Sequence, residues 1–222
     1  MTLDTALMLG LSFLIAVPAI VFHEVAHGYV AFLLGDITAK SRGRLSLNPL
    51  RHIDPFGTVL LPILLIAMGL PGFGFAKPVP VNPAAFRDRR KGMFLTGIAG
   101  PATNLALAMV AGLLTRVVVV LFAVTESSLL YYVWFALYYF AFINLVLMFF
   151  NLIPLPPLDG SRVLPLFLSD SAMRVYHQWE RYGFIILFGV LFLAPRFLGV
   201  DPLGVYLNWT VAPIMQLLTG LA

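Results

Sequence analysis

Residues 5–34 form an apolar run in which the only charged or histidine side chains are His23, Glu24 and His27. A helix needs about twenty residues to cross a hydrocarbon core, so this run spans a membrane and carries all three polar groups into it. Burying ionisable groups in lipid is costly, which marks them as a functional site. His23 and His27 are four residues apart. On a helix that spacing puts both rings on one face, a turn apart, within reach of one metal ion. Glu24, beside the first histidine, is placed to handle the proton of a water activated there. The plainer reading is two helix-packing histidines with a paired glutamate, and it leaves the cost of burying all three in lipid unmatched by any function.

Composition agrees with a membrane protein. The 222 residues are 60% hydrophobic and 11% charged, with mean hydropathy +0.94; soluble domains carry about 25% charged residues. The length suits one domain of several helices, 1–222. The absence of cysteine excludes disulfides and thiolate ligands, so histidine and carboxylate must hold any metal. The N-terminus lacks a basic leader and its apolar run is longer than a signal-peptide core, so no cleavage is expected. No soluble accessory domain, low-complexity tract or internal repeat is visible.

The first helix is expected over 5–34, with a kink at Pro18. Residues 37–48 alternate loosely around Arg42 and Gly43 and read as a small β-hairpin. The apolar run 57–70 is short for a span and is interrupted by Pro62. A Gly/Pro-rich loop covers 71–91. Long helices follow over 92–124 and 128–152, then a Pro-rich break at 153–158 and further apolar segments over 182–194 and 203–221. Of fourteen Lys and Arg, four lie in 36–56, five in 71–91 and three in 159–181. The positive-inside rule puts these loops in the cytoplasm. The first two share a side only if 57–70 is re-entrant; a short tilted span is the alternative. His27 and His23 lie seven and eleven residues before Leu34, about 10 to 16 Å below the cytoplasmic end of the helix at about 1.5 Å per residue.

Two histidines leave a catalytic zinc one protein ligand short, because such sites take three and keep one position open. Asp36, Asp54, Asp88, Glu126, Asp170, Glu180 and Asp201 sit mostly in polar loops and read as solvated. Asp159 differs. Pro154, Pro156 and Pro157 before it forbid regular helix, and Gly160 after it allows a tight turn back toward the site. Spacing alone leaves open whether Asp159 is a ligand or an ordinary helix-end aspartate.

His23-Glu24-Val25-Ala26-His27, together with the run from Asn151 through Pro154, Pro156 and Leu158 to Asp159-Gly160, resembles the paired signature of the site-2 proteases, intramembrane zinc metalloproteases. Gly100-Pro101 and Asn104 also match that family's core. The resemblance covers about residues 10–165. It implies that Asp159 is the third ligand of one catalytic Zn2+ and that Asn151 sits near the metal and meets substrate. The fold class expected is an all-α polytopic membrane protein. It has a three-helix catalytic core, C-terminal helices over about 182–221, a re-entrant segment and a small cytoplasmic β-hairpin. The chain resembles the compact members, so the preceding helix and the PDZ or nucleotide-sensing domain of larger members are not expected.

The activity implied is hydrolysis of a peptide bond in or beside a transmembrane segment. Glu24 would take the proton of the attacking water and pass it to the leaving amine. Asn151 would steady the oxyanion or the substrate backbone. Zinc would be held by His23, His27 and Asp159. The partners expected are a transmembrane protein or peptide substrate and the lipid bilayer, with no nucleic acid; no signal of oligomeric state is present. The protein is expected in the cell membrane, multi-pass, with its site nearer the cytoplasmic face. His52 and His177 read as solvated, Asn104 as a helix-joining polar group, and Gly97, Gly100 and Gly112 as close-packing positions. Tyr131, Tyr132, Trp134, Tyr138 and Tyr139 read as an interfacial belt. Two other classes compete: a metal transporter or channel, and an inactive zinc-stabilised binding module. The transporter predicts polar residues strung across the span, whereas here they cluster at one depth; the binding module has no need of Glu24.

Overall fold

The computed structural model describes residues 3–68, 74, 76–122 and 129–221. Among the described residues, three helices are long and apolar enough to cross a membrane: α1 (Leu3–Leu33), whose span is Gly10–Leu33, α4 (Arg89–Leu121) and α5 (Leu129–Asn151). Between α1 and α4 lie the one-turn α2 (Thr38–Ser41) and the short α3 (Leu61–Ala67). After α5 come α6 (Gly160–Val163), α7 (Asp170–Glu180), α8 (Gly183–Phe188), which continues as a wider π-type helix to Leu198, and α9 (Pro202–Thr219). Helix α7 and the 183–198 segment meet at 62°, and together could form one bent span.

Helix α4 is the central element. It begins where the Asp88 carboxylate accepts from the N–H of Lys91, and small residues line its buried face: Gly92, Gly97, Ala99, Gly100, Ala108, Ala111 and Gly112. Small side chains let helix backbones approach closely, which in lipid replaces the hydrophobic drive to associate. Accordingly α1 and α5 both pack on α4 and on each other. A Cβ at Gly112 would lie 2.7 Å from Cβ of Leu218, so α9 seats directly on that glycine. Leu145 and Met148 of α5 and Val211, Met215 and Leu218 of α9 complete an apolar core around Ala108 and Ala111. Tyr206 of α9 donates to the Phe149 carbonyl at 3.2 Å, tying the two helices.

Several expectations change here. No strand occurs among the described residues, and 37–48 is not a hairpin. The carboxylate of Asp36 accepts from the N–H of Thr38 at 2.9 Å and starts α2, and Gly43 turns the chain at φ +62°. Local capping of this kind outweighs a loose alternation that has no partner strand. Asp36 and His52 are buried rather than solvated. Nε2 of His52 pairs with the Ser46 carbonyl at 2.8 Å, and its backbone carbonyl accepts from the N–H of Lys77. The apolar run at 57–70 becomes π-type turns over Pro55–Leu60 followed by α3. Thirteen helical residues reach only about 20 Å, short of the about 30 Å hydrocarbon core. Glu126 and the 123–128 link lie outside the described residues. Tyr131, Trp134 and Tyr138 stack along the first turns of α5, at the opposite end from Asn151.

Candidate metal centre

Helix α1 turns His23 and His27 onto α4, where Gly100 receives them. A Cβ at Gly100 would lie 2.5 Å from Cε1 of His23 and 2.5 Å from Nε2 of His27. One turn earlier, Gly97 receives the chain that follows α5: a Cβ there would lie 2.9 Å from Cβ of Arg162 and 3.3 Å from the Asp159 carbonyl. The proline-rich break therefore folds back onto α4. Gly160 permits the return, because a side chain there would meet the carbonyls of Leu152 and Ile153. The Asp159 carbonyl then accepts from the N–H of Arg162 at 2.8 Å and opens α6.

The result is a triangle. Nε2 of His23, Nε2 of His27 and Oδ2 of Asp159 stand 3.0 Å from one another. All three residues are buried, and the three could hold a metal ion. Arg162 Nη1 donates to the other oxygen, Oδ1, of Asp159 at 3.4 Å. Nδ1 of His27 donates to the Thr96 carbonyl at 2.6 Å, and Nδ1 of His23 pairs with Oδ1 of Asn104 at 2.6 Å. Glu24 is half-buried, and its Oε2 accepts from the N–H of Val79 at 3.0 Å. Asn151, whose Nδ2 donates to the Leu147 carbonyl at 2.9 Å, lines the same cavity of about 460 Å3 as Glu24 and the triangle.

Comparison with known proteins agrees with this chemistry. The model of peptidase family M50 matches residues 116–194. YwhC of Bacillus subtilis (strain 168), by name a zinc metalloprotease, is 42% identical over 193 residues, covering 84% of this chain and 78% of its own. The chain belongs to peptidase family M50. Rip2 of Mycolicibacterium smegmatis and Rip2 of Mycobacterium tuberculosis (strain H37Rv), also zinc metalloproteases by name, are 32% and 34% identical. This chain spans 62% and 64% of their lengths. No solved structure matches the chain. As a member of the M50 site-2 proteases, it is an intramembrane zinc metalloprotease, an integral membrane protein.

The residues present fit the zinc of the M50 family. A carbonyl only accepts, so the bond to Thr96 puts the proton of a neutral His27 ring on Nδ1 and leaves Nε2 a bare lone pair. That lone pair faces a carboxylate oxygen at 3.0 Å. Acceptors aimed at one another this closely repel, and a cation among them turns the repulsion into ligation. Zinc bonds of about 2.0–2.1 Å in a tetrahedron put ligand atoms about 3.3 Å apart, close to the triangle observed. The backing of each Nδ1 is the usual outer support of a metal histidine.

Of the other acids, Asp54 and Asp201 cap turns, Asp170 pairs with Arg90 at 2.6 Å, and Glu180 pairs with His177. Four contacts at the site were not legible from spacing: Asn104 on His23, Thr96 on His27, Val79 on Glu24 and Arg162 on Asp159. Asn104 carried one signal, a polar side chain in an apolar helix that must find a partner.

Proposed function

We propose that His23, His27 and Asp159 are the metal ligands, that Glu24 is the general base and acid, and that Asn151 binds the substrate backbone or the developing oxyanion. The observation that carries this reading is the convergence of three buried ligand atoms in one cavity with Glu24 on its wall. A zinc ion held there supplies Lewis acidity, which activates water and polarises the scissile carbonyl.

The chain's own residues do the rest. Glu24 accepts the proton of the attacking water on its carboxylate and delivers it to the departing amine; such help is typically worth about 10²–10⁴ in rate. The Val79 N–H holds that carboxylate at the cavity wall. Asn151 offers an amide N–H to the oxygen on which charge develops. Thr96 and Asn104 keep the two imidazoles turned inward, and Arg162 balances the charge of the outer Asp159 oxygen. The apolar walls, among them Leu147, Phe150, Phe184 and Leu187, exclude bulk water and suit a substrate drawn from the bilayer.

The substrate is a membrane protein cut in or near a transmembrane segment, after local unwinding exposes its carbonyls. The cavity opens toward the cytoplasm, and the protein resides in the cell membrane. Support for this side comes from the basic loops 36–56, 71–91 and 159–181, which flank the end of the bundle where Asp159 lies. A re-entrant path for 57–70 accounts for two basic loops on one side. The deciding experiment is Glu24→Gln, with bound zinc and cleavage of a transmembrane substrate both measured. Zinc retained with cleavage lost is expected; unchanged cleavage removes Glu24 from the mechanism.

A further inference from the structure

Asn104 and Asn144 are both fully buried, and they link His23 on α1 through α4 to α5. Nδ2 of Asn144 donates to the Phe140 carbonyl, one turn earlier on its own helix, at 2.7 Å. A carbonyl cannot donate, so the amide nitrogen of Asn144 is the atom that faces it. Its oxygen is thereby turned toward α4, where it accepts from Nδ2 of Asn104 at 3.0 Å. The Asn104 oxygen then faces Nδ1 of His23 at 2.6 Å and accepts from it. Two amides, each of which could flip in isolation, are set in one sense by a single backbone carbonyl.

We infer that Asn144 is a positioning residue for the metal centre: through Asn104 it holds His23 as the tautomer with its proton on Nδ1, leaving Nε2 free for the metal. The inference rests on the proposed role of His23 as a ligand. His27 needs no relay, because the Thr96 carbonyl makes the same demand directly. His23 faces a side chain that could present either end, so its tautomer is decided two residues away. Ordinary interhelical joining would be served by hydrogen bonds of either polarity; the relay works in one polarity alone. Breaking an outer-shell partner of a metal histidine typically costs about 10–100-fold in metal affinity.

The test uses the full chain in detergent, with zinc affinity read by chelator competition. Asn144→Leu keeps similar volume but offers no acceptor, and is expected to weaken zinc binding by about 10–100-fold. Asn144→Asp, as the neutral acid favoured by burial, can donate to Phe140 and accept from Asn104, and should retain most of the affinity. Wild-type affinity in Asn144→Leu, or equal losses in both variants, overturns the relay. If Asn144→Leu does not fold, ring 15N shifts of His23 in the metal-free wild type decide: a proton on Nδ1 supports the relay, and one on Nε2 overturns it. His23→Ala separates the two layers. Unchanged zinc affinity there removes the ligand assignment itself, whereas loss there with no effect of Asn144→Leu removes only the relay.

Discussion

Gly100 stands where the two metal-facing imidazoles leave no room for a side chain: a Cβ on it would lie 2.5 Å from Nε2 of His27. The rings cannot retreat, because His27 is held by the Thr96 carbonyl and His23 by Asn104. Gly100→Ala is therefore expected to push α1 from α4 and to lower zinc occupancy by about tenfold or more, in line with the loss of a supporting contact. Metal analysis beside far-ultraviolet circular dichroism checks this; full occupancy with unchanged helix content would show that the helices can separate at no cost.

Asp159→Ala removes a ligand atom and leaves the two bare Nε2 atoms facing each other. Zinc occupancy should fall sharply while helix content persists, since the α1, α4 and α5 packing does not run through Asp159. Chelation of the wild type should likewise abolish cleavage, and added zinc should restore it. Full occupancy in Asp159→Ala would strike it from the ligand set.

The buried carboxylate of Asp36 fastens the end of α1 to the loop before α4. Burial pushes its pKa up, but the N–H groups of Asn82 and Thr38 outweigh this and hold it below the ordinary carboxylate value. A group depressed in the folded state lends its stability above its unfolded pKa and loses it as pH falls through the folded one. Unfolding midpoints should therefore drop below about pH 4, the ordinary Asp value, with a smaller drop in Asp36→Asn. At neutral pH that variant should cost about 1.5–3 kcal/mol, the scale of hydrogen bonds to a charged group.

The cysteine-free chain permits a clean topology test. Lys40→Cys and Arg87→Cys lie on exposed positions before and after 57–70. Both should resist an impermeant thiol reagent in intact cells and react after lysis. Labelling of one alone in intact cells would make 57–70 a full span.

The site was legible where its geometry is local. The i,i+4 spacing of His23 and His27 survives folding because helix periodicity is a backbone property. The prolines at 154, 156 and 157 announced a break, since they cannot continue a helix. Residues 37–48 do not form the expected hairpin, because alternation over so few residues is weak beside the local demand of Asp36. The burial of His52 is not legible locally, because the N–H that meets its backbone carbonyl belongs to Lys77, twenty-five positions on.

Composition and short-range pattern were enough to place this chain in a membrane, a histidine pair on one helical face, and a turn-forming acid after the last long helix. These follow from composition and from short-range periodicity. The tertiary structure alone decided that Asp159 meets His23 across 136 positions, that Gly97 and Gly100 open the space for that meeting, and that Asn104 and Asn144 stand behind His23. Such contacts depend on how three helices pack, and packing is set by the shapes of side chains far apart in the chain.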